Sequence, residues 1–281
     1  IYNLFNMSKK LWEASQTKKK RSNLYKYEKF LSKKYNLNIK QNYSRILKWT
    51  INNPNKFWSS IWDFAEVKGI KKEKSYLSKI LFKSKFLINS KLNFAENLLS
   101  KNNHSKAITF ISENGYREVR SWRDLNLNVN KIANFIKKIN IKENDRIAAY
   151  LPNLIETVEA FIATISLGAI WSSCSPDFGV EGAIERFAQI KPKILIIADR
   201  YYYNGKEINI IERLPHILKK IKSIKNIIII NYPGKNYLKF KKINKIKINF
   251  WKEIVKIKPK KLEFKKFDFE HNLAILYSSG T

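Results

Sequence analysis

Two hydrophobic periods alternate along most of this chain, and that alternation restricts it to a few layered architectures. From Ala107 onward, short apolar runs are separated by stretches whose apolar residues recur every three or four positions. The short runs fit strands and the stretches fit amphipathic helices. Ala107–Ile111, Arg146–Leu151, Ala169–Ser172, Lys193–Ala198 and Asn226–Asn231 read as strands. Between them, Ser121 caps a helix with Asp124 near its positive end, and Leu125, Val129, Ile132, Ala133 and Ile136 form its apolar stripe. Asn153 opens a second helix bearing Thr157, Phe161 and Ile165, which Gly168 stops. Val180–Ile190 reads as a third. Strands alternating with helices predict an α/β fold with a doubly wound, mostly parallel sheet.

In such a sheet, ligands bind outside the carboxyl ends of the strands. Two segments take that position, Ser172–Asp177 and Ser278–Thr281. The second follows Leu273–Tyr277, an apolar run that reads as a buried strand. Ser278, Ser279, Gly280 and Thr281 then offer hydroxyls and backbone N–H groups, and the glycine permits close approach of an anionic oxygen. No G-x-x-x-x-G-K loop occurs.

The region before residue 101 reads differently, as helices with aromatic anchors. Ser22–Tyr35 places Leu24, Tyr27, Phe30 and Leu31 along one helical face. Asn53-Pro54 is a helix start, with asparagine as cap and proline in the first turn, followed by Phe57, Ile61, Trp62 and Ala65. The expected organisation is a helical cap over 1–100 and an α/β region over 101–281. Pro215–Phe267 is rich in Lys and Ile and has little pattern beyond the alternation of Lys245–Phe250.

Composition excludes several classes. Hydrophobic residues make up 44% of the 281, enough for a substantial core. The formal net charge of +32 raises a nucleic-acid reading. Lysine is spread along the whole sequence, acidic residues are dispersed among the bases, and no nucleic-acid motif occurs, so no specific nucleic-acid partner is expected. A single cysteine, Cys174, excludes an internal disulfide and fits a reducing, cytoplasmic setting. It has no basic neighbour to activate it and reads as a small buried residue. His104, His216 and His271 lie far apart and receive no role, and no metal site is expected. The uncharged run between Glu159 and Asp177 is short for a membrane span.

The motifs resemble those of acyl-CoA synthetases in the adenylate-forming superfamily, most nearly the branch that activates acetoacetate. The resemblance is carried by LWEAS (11–15), FWSSIWDF (57–64), LNFAENLL (92–99), YLPNLIETVEAFIATISLGAIWSSCSPDFG (150–179), ERFAQIKPKIL (185–195), YNGK (203–206) and LAILYSSGT (273–281). It implies a ligase that uses ATP, Mg²⁺ and CoA. A carboxylate attacks the α-phosphate of ATP to give an acyl adenylate and pyrophosphate, and the CoA thiol then displaces AMP. Ser278, Ser279, Gly280 and Thr281 match the opening of the family's phosphate loop. Trp171, Ser172 and Ser173 match a segment beside the nucleotide of CoA, and Lys206 matches a basic residue that meets its 3′-phosphate. The family's catalytic lysine matches no residue here and is expected downstream. The expectation is an N-terminal fragment, cut within the phosphate loop and inactive alone, whose natural start is Met7 rather than Ile1.

Overall fold

The computed structural model of the chain describes residues 11–39, 42–75, 78, 80–238 and 246–278. Met7, Ser279, Gly280 and Thr281 lie outside the described residues. The chain divides into two compact units, 1–90 and 91–281.

The first unit is helical. Helices α1 (Gln16–Arg21), α2 (Asn23–Tyr35) and α3 (Tyr43–Asn52) start at Ser15, Ser22 and Asn42, whose side chains accept N–H bonds from Lys18, Tyr25 and Arg45. Helix α4 (Pro54–Phe64) has proline in its first turn, as the sequence predicts. Asn53, however, makes no side-chain cap. Its amide donates instead to the Trp49 carbonyl and closes α3. Tyr27, Leu31, Ile39 and Ile46 form the core, with Phe30, Phe57, Ile61 and Phe64 packed around them. Leu24 departs from the predicted stripe and is exposed. A two-residue strand, β1 (Gly69–Ile70), follows.

The second unit opens with β2 (Lys91–Leu92), α5 (Phe94–Leu98) and an antiparallel hairpin of β3 (Lys106–Ile111) and β4 (Arg117–Ser121). Ala95 and Leu99 belong to this unit's core, so the contact boundary falls before α5 rather than at 100/101. Then come α6 (Trp122–Lys138), β5 (Arg146–Tyr150), α7 (Ile155–Ser166), β6 (Ile170–Cys174), α8 (Gly179–Ile190) and β7 (Ile194–Ala198). The chain continues through the hairpin β8 (Arg200–Tyr203) and β9 (Lys206–Asn209), α9 (Leu214–Lys220), β10 (Asn226–Ile230), β11 (Lys247–Phe250), α10 (Trp251–Ile254) and β12 (Phe267–Asp268).

Five strands form one sheet in the order β11-β10-β7-β5-β6, and every pair is parallel. Strands β7 and β10 are buried along their whole length, which explains their unbroken Ile-rich sequences. Helix α6 packs on α7 and α10, and α8 packs on α9. The predicted stripe of α6 is realised: Leu125, Val129, Ile132, Ala133 and Ile136 are all buried. Burying each of the larger of these stabilises the fold by about 2 kcal/mol. Ser121 accepts the Asp124 N–H at 3.1 Å, as its sequence position predicts.

Three boundaries differ from the sequence expectation. Helix α7 starts at Ile155, not Asn153, because buried Leu154 takes the cap position. Its N–H reaches Thr157 Oγ1 at 3.4 Å, and that hydroxyl donates to the Pro152 carbonyl. Strand β6 extends two residues further than predicted and includes Ser173 and Cys174. Leu273–Tyr277 is not a fully buried strand. A single parallel bridge joins Ala274 to Trp171, and Leu276 is 79% exposed. Gly168, predicted as a helix stop, has φ +71°, and a Cβ there would meet the Phe267 ring at 2.5 Å.

Candidate functional site

The sheet's carboxyl ends bring together β6, the turn after it, and the segment 273–278. Alternation along β6 sorts its residues. Trp171 is buried and packs edge-on against Phe161 of α7, with ring centroids 5.9 Å apart. Ser172 points the other way and is fully buried. Ser173 is exposed. Cys174 is buried, and desolvation pushes its thiol above the ordinary range, which makes it a poor nucleophile.

The turn that follows is held from three sides. Ser175 Oγ accepts the Asp177 N–H at 3.3 Å. The fully buried Tyr150 donates its hydroxyl to the Pro176 carbonyl at 3.1 Å. Arg213 Nη1 donates to the Tyr150 hydroxyl at 2.5 Å and to the Pro176 carbonyl at 2.8 Å. Burial pushes the Tyr150 phenol upward, so it stays a neutral donor.

Segment 273–278 lies along the outer edge of β6. The Trp171 N–H donates to the Leu273 carbonyl at 3.1 Å, and the Ile275 N–H donates to the Trp171 carbonyl at 2.8 Å. Ser172 Oγ donates to the Ile275 carbonyl at 2.9 Å. Two residues on, the Tyr277 hydroxyl donates to the Arg186 carbonyl of α8 at 2.6 Å. The Arg186 guanidinium lies 4.3 Å from the Phe178 ring centre and 5.8 Å from that of Tyr277. Ser278 then emerges exposed at the end of the sheet.

Lys206 belongs to a different element. It opens β9 and pairs across the hairpin with Tyr203. The turn between them, Asn204-Gly205, has φ of +50° and +73°, the conformation that makes Asn-Gly a hairpin signal. The Gly205 N–H reaches Glu113 of the β3–β4 turn at 3.2 Å. Lys206 is exposed, and no hydrogen bond or ion pair joins it to Trp171, Ser172 or Ser173 among the described residues. The structure thus joins Trp171 and Ser172 to the segment leading into Ser278 and sets Lys206 on a separate hairpin. Among the described residues, no three of His, Cys, Asp and Glu gather as metal ligands. No helix among them is long and apolar enough to cross a membrane.

Sequence reasoning missed two pairings: Arg213 with Tyr150, and Arg186 with Tyr277. Their pairings depend on tertiary contacts, and only the aromatic and arginine content of the segments hints at them. It also missed the Asn-Gly hairpin, whose signal is plainly visible.

Residues 98–281 match the family described as AMP-binding enzyme, a span that includes β6, the turn after it, and 273–278. The chain belongs to that family. Several named proteins resemble it over most of its length. Acetoacetyl-CoA synthetase of Xenopus tropicalis is 36% identical over 253 residues, covering 85% of this chain and 37% of that protein. Acetoacetyl-coenzyme A synthetase of Rhizobium meliloti is 33% identical over 240 residues, covering 85% and 36%. The fold matches that of acetoacetyl-CoA synthetase from Streptomyces lividans with a TM-score of 0.85 and 21% identity, covering 96% of this chain and 41% of that one. The chain therefore spans about 40% of the length of these relatives. Within the AMP-binding family, the matched region holds every element that positions Ser278.

Proposed function

We propose that this chain supplies the phosphate-loop entrance and part of the CoA site of an acetoacetate–CoA ligase. The observation that supports the reading is the hydroxyl of Ser278, exposed at the carboxyl end of a parallel sheet in a chain whose relatives are named acetoacetyl-CoA synthetase. In the first step a carboxylate oxygen bonds to the α-phosphorus of ATP and pyrophosphate leaves. In the second the CoA sulfur bonds to the acyl carbon and AMP leaves with the electron pair. The chain's own contribution is placement. Ser278, with Ser279, Gly280 and Thr281, supplies hydroxyl and N–H donors to the phosphates, where they offset the charge on the leaving pyrophosphate. Mg²⁺ accompanies ATP, and no described residues are assigned to hold it.

CoA is met by the groups that reach solvent. Ser173 and Lys206 are exposed and are the two groups free to meet CoA, while Trp171 and Ser172 are buried. A lysine at 206 gives charge without the bidentate fork of an arginine. The test is ATP–pyrophosphate exchange and thioester formation by a protein carrying this chain, with acetoacetate and acetate compared. Faster exchange with acetoacetate is expected. Faster exchange with acetate would move the reading to another short-chain acyl-CoA synthetase.

A further inference from the structure

Ser172 sits where the ladder between β6 and segment 273–278 stops. In a parallel ladder, one residue donates and accepts on the same side, and the residue two positions on repeats the pattern. Trp171 does this against Leu273 and Ile275. Ser173 is next in line, and its N–H would donate to the Ile275 carbonyl while its own carbonyl accepted the Tyr277 N–H. Neither bond forms among the described residues. The Ile275 carbonyl is taken instead by the hydroxyl of Ser172, a fully buried residue whose side chain also interacts with the Tyr277 hydroxyl. Beyond that point the Tyr277 hydroxyl donates to the Arg186 carbonyl of α8 and also meets the Ser172 side chain, so Tyr277 is held through its side chain and not by a backbone rung. Ser173 and Ser278 are both exposed.

We propose that Ser172 is a positioning residue for the phosphate loop: its hydroxyl replaces the next ladder rung and holds the segment leading to Ser278 off the sheet. This rests on the ligase reading and changes one role within it, since Ser172 then touches no CoA atom. The physical reason is satisfaction of a carbonyl. A backbone carbonyl at a closing sheet edge needs a partner. Any serine hydroxyl that supplies one from the neighbouring strand removes the drive to form another backbone rung. The strand can then diverge, and the Ser173 N–H stays open towards the same crevice as Ser278.

Two measurements test this. The first uses the chain itself and reads amide hydrogen exchange. The Trp171 and Ile275 amides should be protected and the Ser173 and Tyr277 amides should exchange freely. In Ser172→Ala the orphaned Ile275 carbonyl should recruit the Ser173 N–H and slow its exchange about five- to tenfold, the worth of one net hydrogen bond. Ser172→Thr keeps the hydroxyl and should restore the original pattern. Protection of Ser173 in the unaltered chain, or identical patterns in all three, would overturn the proposal. The second uses a protein carrying this chain in the ligase assays. Ser172→Ala should lower the rate of pyrophosphate exchange and leave the KM for CoA unchanged, with Ser172→Thr recovering the rate. A raised KM for CoA with exchange intact would make Ser172 a CoA contact and sink the idea. If the unaltered protein exchanged pyrophosphate with no acid at all, the ligase reading would fail. The exchange pattern would then still decide whether Ser172 ends the ladder.

Discussion

Arg120 Nε lies 2.9 Å from Oε1 of Glu159, a carboxyl group with no exposed surface. Asn128 of α6 donates to the same oxygen at 2.9 Å, and Oε2 has no partner. Glu156, one turn earlier on α7, also has a buried, unpartnered oxygen, and Glu118 sits 3.0 Å from the Arg120 guanidinium. Two carboxyls thus share one guanidinium, and a third feels its charge without a bond to it. Desolvation outweighs the attraction of Arg120 and the bond from Asn128, and it pushes Glu159 up to about 8. Glu156 is raised for the same cause.

Stability should therefore fall as pH rises through this range. The folded state binds the Glu159 proton more tightly than the unfolded chain, whose glutamates titrate near 4.5. The contribution is fully present below that value and is lost progressively as pH climbs to about 8. Melting temperatures measured between pH 5 and pH 9 should decline, and Glu159→Gln should flatten the decline. Equal pH slopes for the two proteins would show that Glu159 is not the titrating group.

Gly168→Ala should be costly. It forces a side chain into the left-handed region at φ +71° and places Cβ 2.5 Å from the Phe267 ring. A loss of about 2–3 kcal/mol is expected from the backbone and packing terms together. Adding Phe267→Ala should remove the clash and leave the backbone term, so the double variant should lose less than the two singles summed. Additive losses in a double-mutant cycle would refute the contact.

Arg213 and Tyr150 should behave as a coupled pair. Arg213→Met removes one hydrogen bond to the Pro176 carbonyl of the turn and one to the Tyr150 hydroxyl, and should cost about 1.5–3 kcal/mol. Tyr150→Phe should cost about 1 kcal/mol, because Arg213 still reaches the Pro176 carbonyl. Denaturant unfolding of both single variants and the double variant gives the coupling energy. No coupling would mean that the arginine and the phenol act separately.

Lys206→Ala should leave stability nearly unchanged, since the side chain is exposed and makes no ion pair among the described residues. In a protein carrying this chain it should raise the KM for CoA several-fold, about 1 kcal/mol, while pyrophosphate exchange keeps its rate. Equal loss in both assays would remove Lys206 from the CoA site.

What could be read in advance follows from how far each interaction reaches. The α6 stripe and its Ser121 cap were legible because both are set by residues within one helix. The start of α7 was not, since Leu154 displaces Asn153 by entering a core that other segments build. The run Leu273–Tyr277 gave the right location and the wrong extent, because its ladder ends where a side chain from β6 intervenes. Alternation on β6 separates Ser172 from Trp171 and Ser173, but which face is covered depends on α7 and segment 273–278. Glu159 stands out in the sequence only as the edge of an uncharged run, and nothing near it in sequence names Arg120 as its partner.

The edge of β6 has a cost in time. The bond from Ser172 to the Ile275 carbonyl spans 103 positions. A ribosome adding about 5–20 residues per second needs roughly 5–20 s to cover that span. Throughout that interval Trp171 and Ser172 are already made while the segment that covers them is not. The nascent chain must keep an apolar, half-satisfied strand edge from other partners, so synonymous codons that slow translation between 175 and 273 should raise the fraction lost to aggregation.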